Sequence, residues 1–142
     1  MSRIAVVYWS GTGNTEAMAL AVLSGIQNTG AEGVLYSCDE FHVDMLKEYA
    51  GVAFGCPAMG DEVLEESEFE PLFDSCVGSL DGKKIALFGS YGWGDGEWMR
   101  SWEERCRKEG IRLVSKGVIC NEMPDDEGLA KCEKLGEKLA GS

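Results

Sequence analysis

Ser10-Gly11-Thr12-Gly13-Asn14-Thr15 follows the apolar run Ile4-Ala5-Val6-Val7-Tyr8-Trp9 directly, opens a predicted helix, and contains no lysine or arginine. A helix N-terminus carries unpaired backbone N–H groups and roughly half a positive charge, enough to hold an anion without a cation. Gly11 and Gly13 let the backbone fold closely, Ser10, Thr12 and Thr15 add hydroxyls, and Asn14 adds an amide. The stretch therefore reads as a phosphate cradle built from neutral donors. It is neither a dinucleotide fingerprint, whose third glycine is replaced by Glu16, nor a nucleotide P-loop, which needs a lysine.

Outward from this loop, the hydrophobic pattern alternates between strand and helix. Strands are predicted at 3–9, 33–37, 51–56, 84–90 and 112–119, and helices at 14–27, 43–49, 68–77, 96–109 and 126–140. Ile4 to Trp9 and Ile85 to Gly89 are continuous apolar runs, as expected of strands covered on both faces. Phe69, Leu72, Phe73, Cys76 and Val77 trace one helix face, as do Leu129, Cys132, Gly136 and Leu139. Five strand–helix pairs imply an α/β fold, a parallel sheet between two helical layers, in one domain over 1–142. Ligands of such sheets sit beyond the C-terminal strand ends. The segments after strands one, three and four are the most unusual in the chain, and all three fall on that rim.

The second of these is Cys56-Pro57-Ala58-Met59-Gly60-Asp61-Glu62. Met59 is polarizable enough to lie on an aromatic ring, Gly60 can adopt positive φ, and Glu62 can accept from a ring N–H. The third is Ser90-Tyr91-Gly92-Trp93-Gly94-Asp95-Gly96, where glycines on both sides of Trp93 suit an exposed aromatic platform. Asp95 is expected to cap the following helix. Trp98 and Trp102, four residues apart, read as core. Asn121-Glu122-Met123-Pro124 reads as a rim loop, and His42, the sole histidine, as a surface residue.

The net charge of −12 is lopsided. Residues 4–82 carry fourteen carboxylates against Lys47 alone, whereas 83–142 balance eleven against eleven. Nucleic-acid binding, which needs a cationic footprint, is excluded. The acidic half is either a solvated surface or a docking face for basic partners. Apolar runs are strand-sized, well below the ~20 residues of a membrane span, and no signal peptide is expected ahead of the first strand. Six cysteines spaced 12 to 30 residues apart with no C-x-x-C read as free thiols of a reduced, cytoplasmic protein, with no metal site.

Taken together, the three loops make the chain resemble the short-chain flavodoxins, with Ser10 to Thr15, Met59 to Glu62 and Gly92 to Asp95 in the right order. Strand five runs on without the insertion of roughly twenty residues that marks the long-chain type. Flavodoxins are themselves the standing illustration of the switch-point rule, with strand order 2-1-3-4-5 and FMN at the crevice. The resemblance implies that three-layer fold with helices on both faces, and FMN as cofactor. Ser10 to Thr15 and Ser90 would hold the phosphate, and Met59 and Trp93 would flank the ring. Glu62 would accept from its N3–H, Asp61 and Gly92 would supply backbone contacts, and Gly60 would be the redox-linked peptide switch. Pro57, Ala58, Tyr91, Gly94 and Asp95 complete the expected cofactor loops. Pro57 departs from the pattern, since similar proteins often carry a serine there.

The implied function is a low-potential one-electron carrier working mainly between semiquinone and hydroquinone. It would be a monomer exchanging electrons with basic redox proteins. Surplus carboxylates such as Glu62, Glu65 and Glu66 would make the second electron hard to add. At an effective dielectric of 20, charges 10 Å apart interact by about 1.7 kcal/mol. The rival reading is an FMN-dependent NAD(P)H:quinone oxidoreductase of the same fold, for which the acidic half offers almost no nucleotide-binding base. A receiver domain lacks its acids at the end of strand one, and a strand-one cysteine phosphatase lacks its nucleophile.

Overall fold

The computed structural model describes residues 3–60, 62–92 and 94–141. The sheet is parallel throughout and comprises β1 (Arg3–Tyr8), β2 (Glu32–Ser37), β3 (Gly51–Gly55), β4 (Lys84–Tyr91), β5 (Arg112–Leu113) and β6 (Val118–Asn121), in the order β2-β1-β3-β4-β5, with β6 also on β4. The helices are α1 (Asn14–Asn28), α2 (Phe69–Val77), α3 (Glu97–Lys108) and α4 (Asp126–Gly141). No helix among the described residues is long and apolar enough to cross a membrane.

The continuous apolar strands have the physical cause the sequence suggested. Side chains of a strand alternate between faces, and β1 divides itself accordingly. Ala5 and Val7 enter one core with Phe54, Phe69, Phe73, Trp98 and Trp102, under α2 and α3. Ile4 and Val6 enter the other with Met18, Val22, Cys132 and Leu139, under α1 and α4. β4 repeats this, with Ile85 and Leu87 on the first side and Ala86 and Phe88 on the second. Trp98 and Trp102 are thus core, as read from their spacing.

α1 and α4 lie backbone against backbone. A Cβ at Gly25 would land on the Glu133 carbonyl, and one at Gly136 on the Val22 carbonyl. Both positions therefore need glycine, because any larger residue would push the helices apart.

Two predicted elements differ. The segment predicted as an α-helix at 43–49 is a 3-10 helix, Val43–Glu48, preceded by a 3-10 turn at Cys38–Glu40. Val43, Leu46 and Tyr49 repeat every third residue, so a three-residue turn aligns all three against the same core. Strand five is two pieces. Leu113 pairs with Ile85 and Val118 with Phe88, so residues 114–117 span the space of Ala86 and Leu87. The two-residue excess preserves the facing of side chains, which a one-residue slip would reverse. The excursion is pinned where the Gly117 N–H donates to the buried Glu103 carboxylate at 2.6 Å.

Candidate functional site

The strand order places β2 and β3 on opposite sides of β1, so the connections leaving β1 and β3 diverge and open a crevice at their C-terminal ends. A cleft of about 530 Å3 lies there, lined from loop one by Trp9, Gly11, Thr12 and Asn14, from loop two by Pro57, Ala58 and Met59, and from loop three by Ser90, Tyr91 and Gly92. Glu122 and Met123 close the rim. No lysine or arginine lines it among the described residues.

Loop one is held open by its own serine. The Ser10 hydroxyl oxygen accepts from the Gly13 N–H at 3.0 Å and the Glu16 N–H at 3.3 Å, with Gly13 at φ 95° closing the turn into α1. Among the described residues, the N–H groups of Thr12, Asn14 and Thr15 donate to no protein atom, leaving three aligned donors at a positive helix end. Thr15, buried beneath, meets the Ser90 hydroxyl at 3.0 Å. Trp9 stands beside the loop with its indole N–H donating to Glu68 at 3.0 Å, and its ring would come within 3.0 Å of any Cβ at Gly11. Ser10 and Gly13 line an adjoining acidic cavity of about 420 Å3 with Glu16, Asp39 and Glu68.

Loop two is a tight reversal. Met59 and Val63 exchange both backbone hydrogen bonds, at 2.9 and 3.1 Å, with Gly60 at φ 40° and Glu62 at φ 57° between them. Asp61 lies outside the described residues. The left-handed conformation of Glu62 is uncommon for a residue with a Cβ and marks stored backbone strain. Its carboxylate Oε1 is buried with no hydrogen-bond partner among the described residues. A buried acceptor left unpaired costs about 1–3 kcal/mol, so among the described residues this oxygen is one donor short. Across from it, Gly94 at φ 86° lies in a conformation that favours glycine, and a Cβ there would displace the Glu62 carboxylate.

Pro57 lines the cleft and offers it neither N–H nor hydroxyl, whereas the neighbouring Ala58 N–H is spent on the Ser90 carbonyl at 3.0 Å. In loop three, Trp93 lies outside the described residues. Asp95 does not cap α3. The N-cap is Gly96, and the exposed Asp95 carboxylate instead pairs with Arg100 at 3.0 Å. Gly96 takes the terminal position because its φ of 94° is open to glycine and strained for aspartate. Of the described residues predicted for the site, Ser10, Gly13, Thr15, Gly60, Glu62, Gly94 and Asp95 are not among those lining the cleft.

Glu65 also departs from its expected role as surface charge. It is buried, and its carboxylate accepts from the Ser67 N–H at 3.0 Å, from the Glu68 and Phe69 N–H groups at 2.8 Å, and from the Ser67 hydroxyl. Burial pushes its pKa up, but these four donors outweigh that and hold it below its ordinary value. Glu65 is thus the anion that closes the start of α2.

Trp9 escaped the sequence reading because it looked like the last residue of an apolar strand. Its signal was position, one residue before the cradle at a C-terminal strand end. The rim loop was legible. Glu122, at φ 57°, donates its N–H to the Tyr91 carbonyl at 2.7 Å, which brings the loop against loop three. His42 is exposed, and all six cysteines are buried free thiols, with burial pushing Cys106 up to about 11.

Comparison with known proteins agrees with this geometry. The flavodoxin family model matches residues 6–136. A flavodoxin of Clostridium beijerinckii is 47% identical over 95% of this chain and 97% of its own. A flavodoxin of Megasphaera elsdenii is 43% identical over 96% and 98%. The solution structure of the two-electron reduced Megasphaera elsdenii protein superposes with a TM-score of 0.90, covering 98% of this chain and 99% of that one.

Proposed function

The chain belongs to the flavodoxin family, and on that premise we propose that it is a low-potential one-electron carrier that uses non-covalently bound FMN. When bound, FMN accepts and returns electrons one at a time. Everything else falls to the protein's own side chains and backbone.

The observation that carries the reading is the buried Oε1 of Glu62, which has no hydrogen-bond partner among the described residues. Set against Gly94 of loop three, that oxygen would take the N3–H of a bound flavin. The donor-only helix end at Thr12, Asn14 and Thr15, with the hydroxyls of Ser10 and Ser90, suits a phosphate. Met59 and Trp93 would flank the ring faces, with Asp61, Tyr91 and Gly92 along its polar edge. Gly60, already at positive φ with open space around it, would turn its peptide between two orientations. Among the described residues the cleft has no cation to neutralise a reduced ring, and the acidic half opposes further negative charge, so the second electron is held at low potential.

Partners would be redox proteins with basic docking surfaces, met by a monomer in the cytoplasm. Anaerobic reduction of the FMN-loaded protein tests the function. Two separated one-electron stages, with no NAD(P)H oxidation by the protein alone, support the carrier. Steady NAD(P)H turnover would favour the reductase.

A further inference from the structure

On the far side of α4, Lys131, Lys134 and Lys138 converge with Lys116 on a cleft of about 410 Å3 floored by Ile119 and Leu135. It shares no lining residue with the FMN cleft. We propose that this second cleft is a binding site for a small polyanion bearing phosphate groups.

Lysines along one helix face would ordinarily be a solvated surface, and edge strands are commonly guarded by them. Here the cations come from two elements that face each other. Three lie at helical spacing on α4, and the fourth reaches in from the 114–117 excursion. That excursion is tied down, because the Gly117 N–H is held by buried Glu103. Lys116 is therefore delivered from a set backbone.

The gathering also runs against the composition. Four of thirteen cationic side chains ring one cleft in a chain of net charge −12. The Glu127 carboxylate sits 3.7 Å from Lys131, but both are exposed, so the pair neutralises little. Ammonium groups act as mobile point charges for phosphate oxygens, and the floor would cover an apolar body. The volume falls within the usual range for small-molecule sites.

The probe is sodium pyrophosphate, titrated into 15N-labelled, FMN-saturated protein against sodium chloride at matched ionic strength. Saturable shifts confined to residues 115–119 and 131–138 are expected. Kd should rise at least tenfold in K116Q/K134Q and stay unchanged in K47Q/K108Q, which removes the same charge from exposed sites elsewhere. Shifts that never saturate, equal losses in both double variants, or no loss in K116Q/K134Q would overturn the assignment.

Discussion

The hydroxyls of Thr15 and Ser90 meet at 3.0 Å in a fully buried contact that ties the cradle after β1 to the end of β4. The two residues are 75 positions apart, yet the register brings β1, which leads into the helix of Thr15, close to β4 through β3. The contact fixes loop one relative to loop three. Thr15→Val keeps the shape and leaves the Ser90 hydroxyl unpaired, at a cost of about 1–3 kcal/mol. FMN affinity measured by fluorescence quenching should fall roughly ten- to hundredfold. Unchanged affinity would remove Thr15 from the cradle.

Glu62 should act on potential through its charge. Glu62→Gln retains an acceptor oxygen and deletes the carboxylate. A carboxylate hydrogen-bonded to the ring, ~5 Å from the reduced N1, contributes about 3.3 kcal/mol at an effective dielectric of 20, or roughly 140 mV for one electron. Potentiometry should find the second reduction step raised by about that amount, and the first moved less.

Gly60 offers a variant with little steric confusion, because a Cβ there meets nothing within 4 Å among the described residues. Any effect of Gly60→Ala is then an effect on backbone freedom at φ 40°. Losing one net hydrogen bond of about 0.5–1.5 kcal/mol should lower the first-step potential by roughly 20–65 mV. A first step that does not move would show that the peptide has no second orientation to lose.

Glu65 sets a pH dependence. Its pKa is held below the ordinary 4.5, so its contribution to stability is complete above that value and is lost as pH falls through the lower folded value. Urea denaturation of Glu65→Gln at pH 7 should reveal a loss of about 1–3 kcal/mol, since neutral amide replaces a charge-assisted cap. The gap to the unsubstituted protein should shrink below pH 4.5 as the carboxylate protonates. A gap that stays constant down to acid would mean that the cap does not depend on charge.

Helix packing gives a further check. Gly136→Ala drives a methyl into the Val22 carbonyl and should destabilise by about 1–3 kcal/mol or more, with little change in FMN affinity because α4 lies away from the cleft.

Much of this was legible in the sequence, and the exceptions have physical reasons. Continuous apolar strands announced a sheet buried on both faces, and β1 and β4 feed two cores as that requires. The three loops meet at one rim because a parallel sheet sends every strand's C-terminal end the same way. What periodicity could not resolve was short-range geometry. The spacing of Val43, Leu46 and Tyr49 distinguishes a 3-10 turn from a helix only once their shared core is known. Asp95 looked like a cap, but Gly96 could occupy the left-handed position and aspartate was drawn to Arg100. Glu65 looked like surface charge because nothing local reveals that four donors surround it. Trp9 and Glu68, 59 residues apart, are joined by a hydrogen bond that only the folded topology creates.

The central claim is that neutral donors grip a flavin amid surplus carboxylate, so that its last electron is held weakly. Anaerobic potentiometry of the FMN-reconstituted protein at neutral pH tests it most directly. The account predicts two well-separated one-electron steps, the second well below that of free FMN. A single two-electron wave at the potential of free FMN would contradict it.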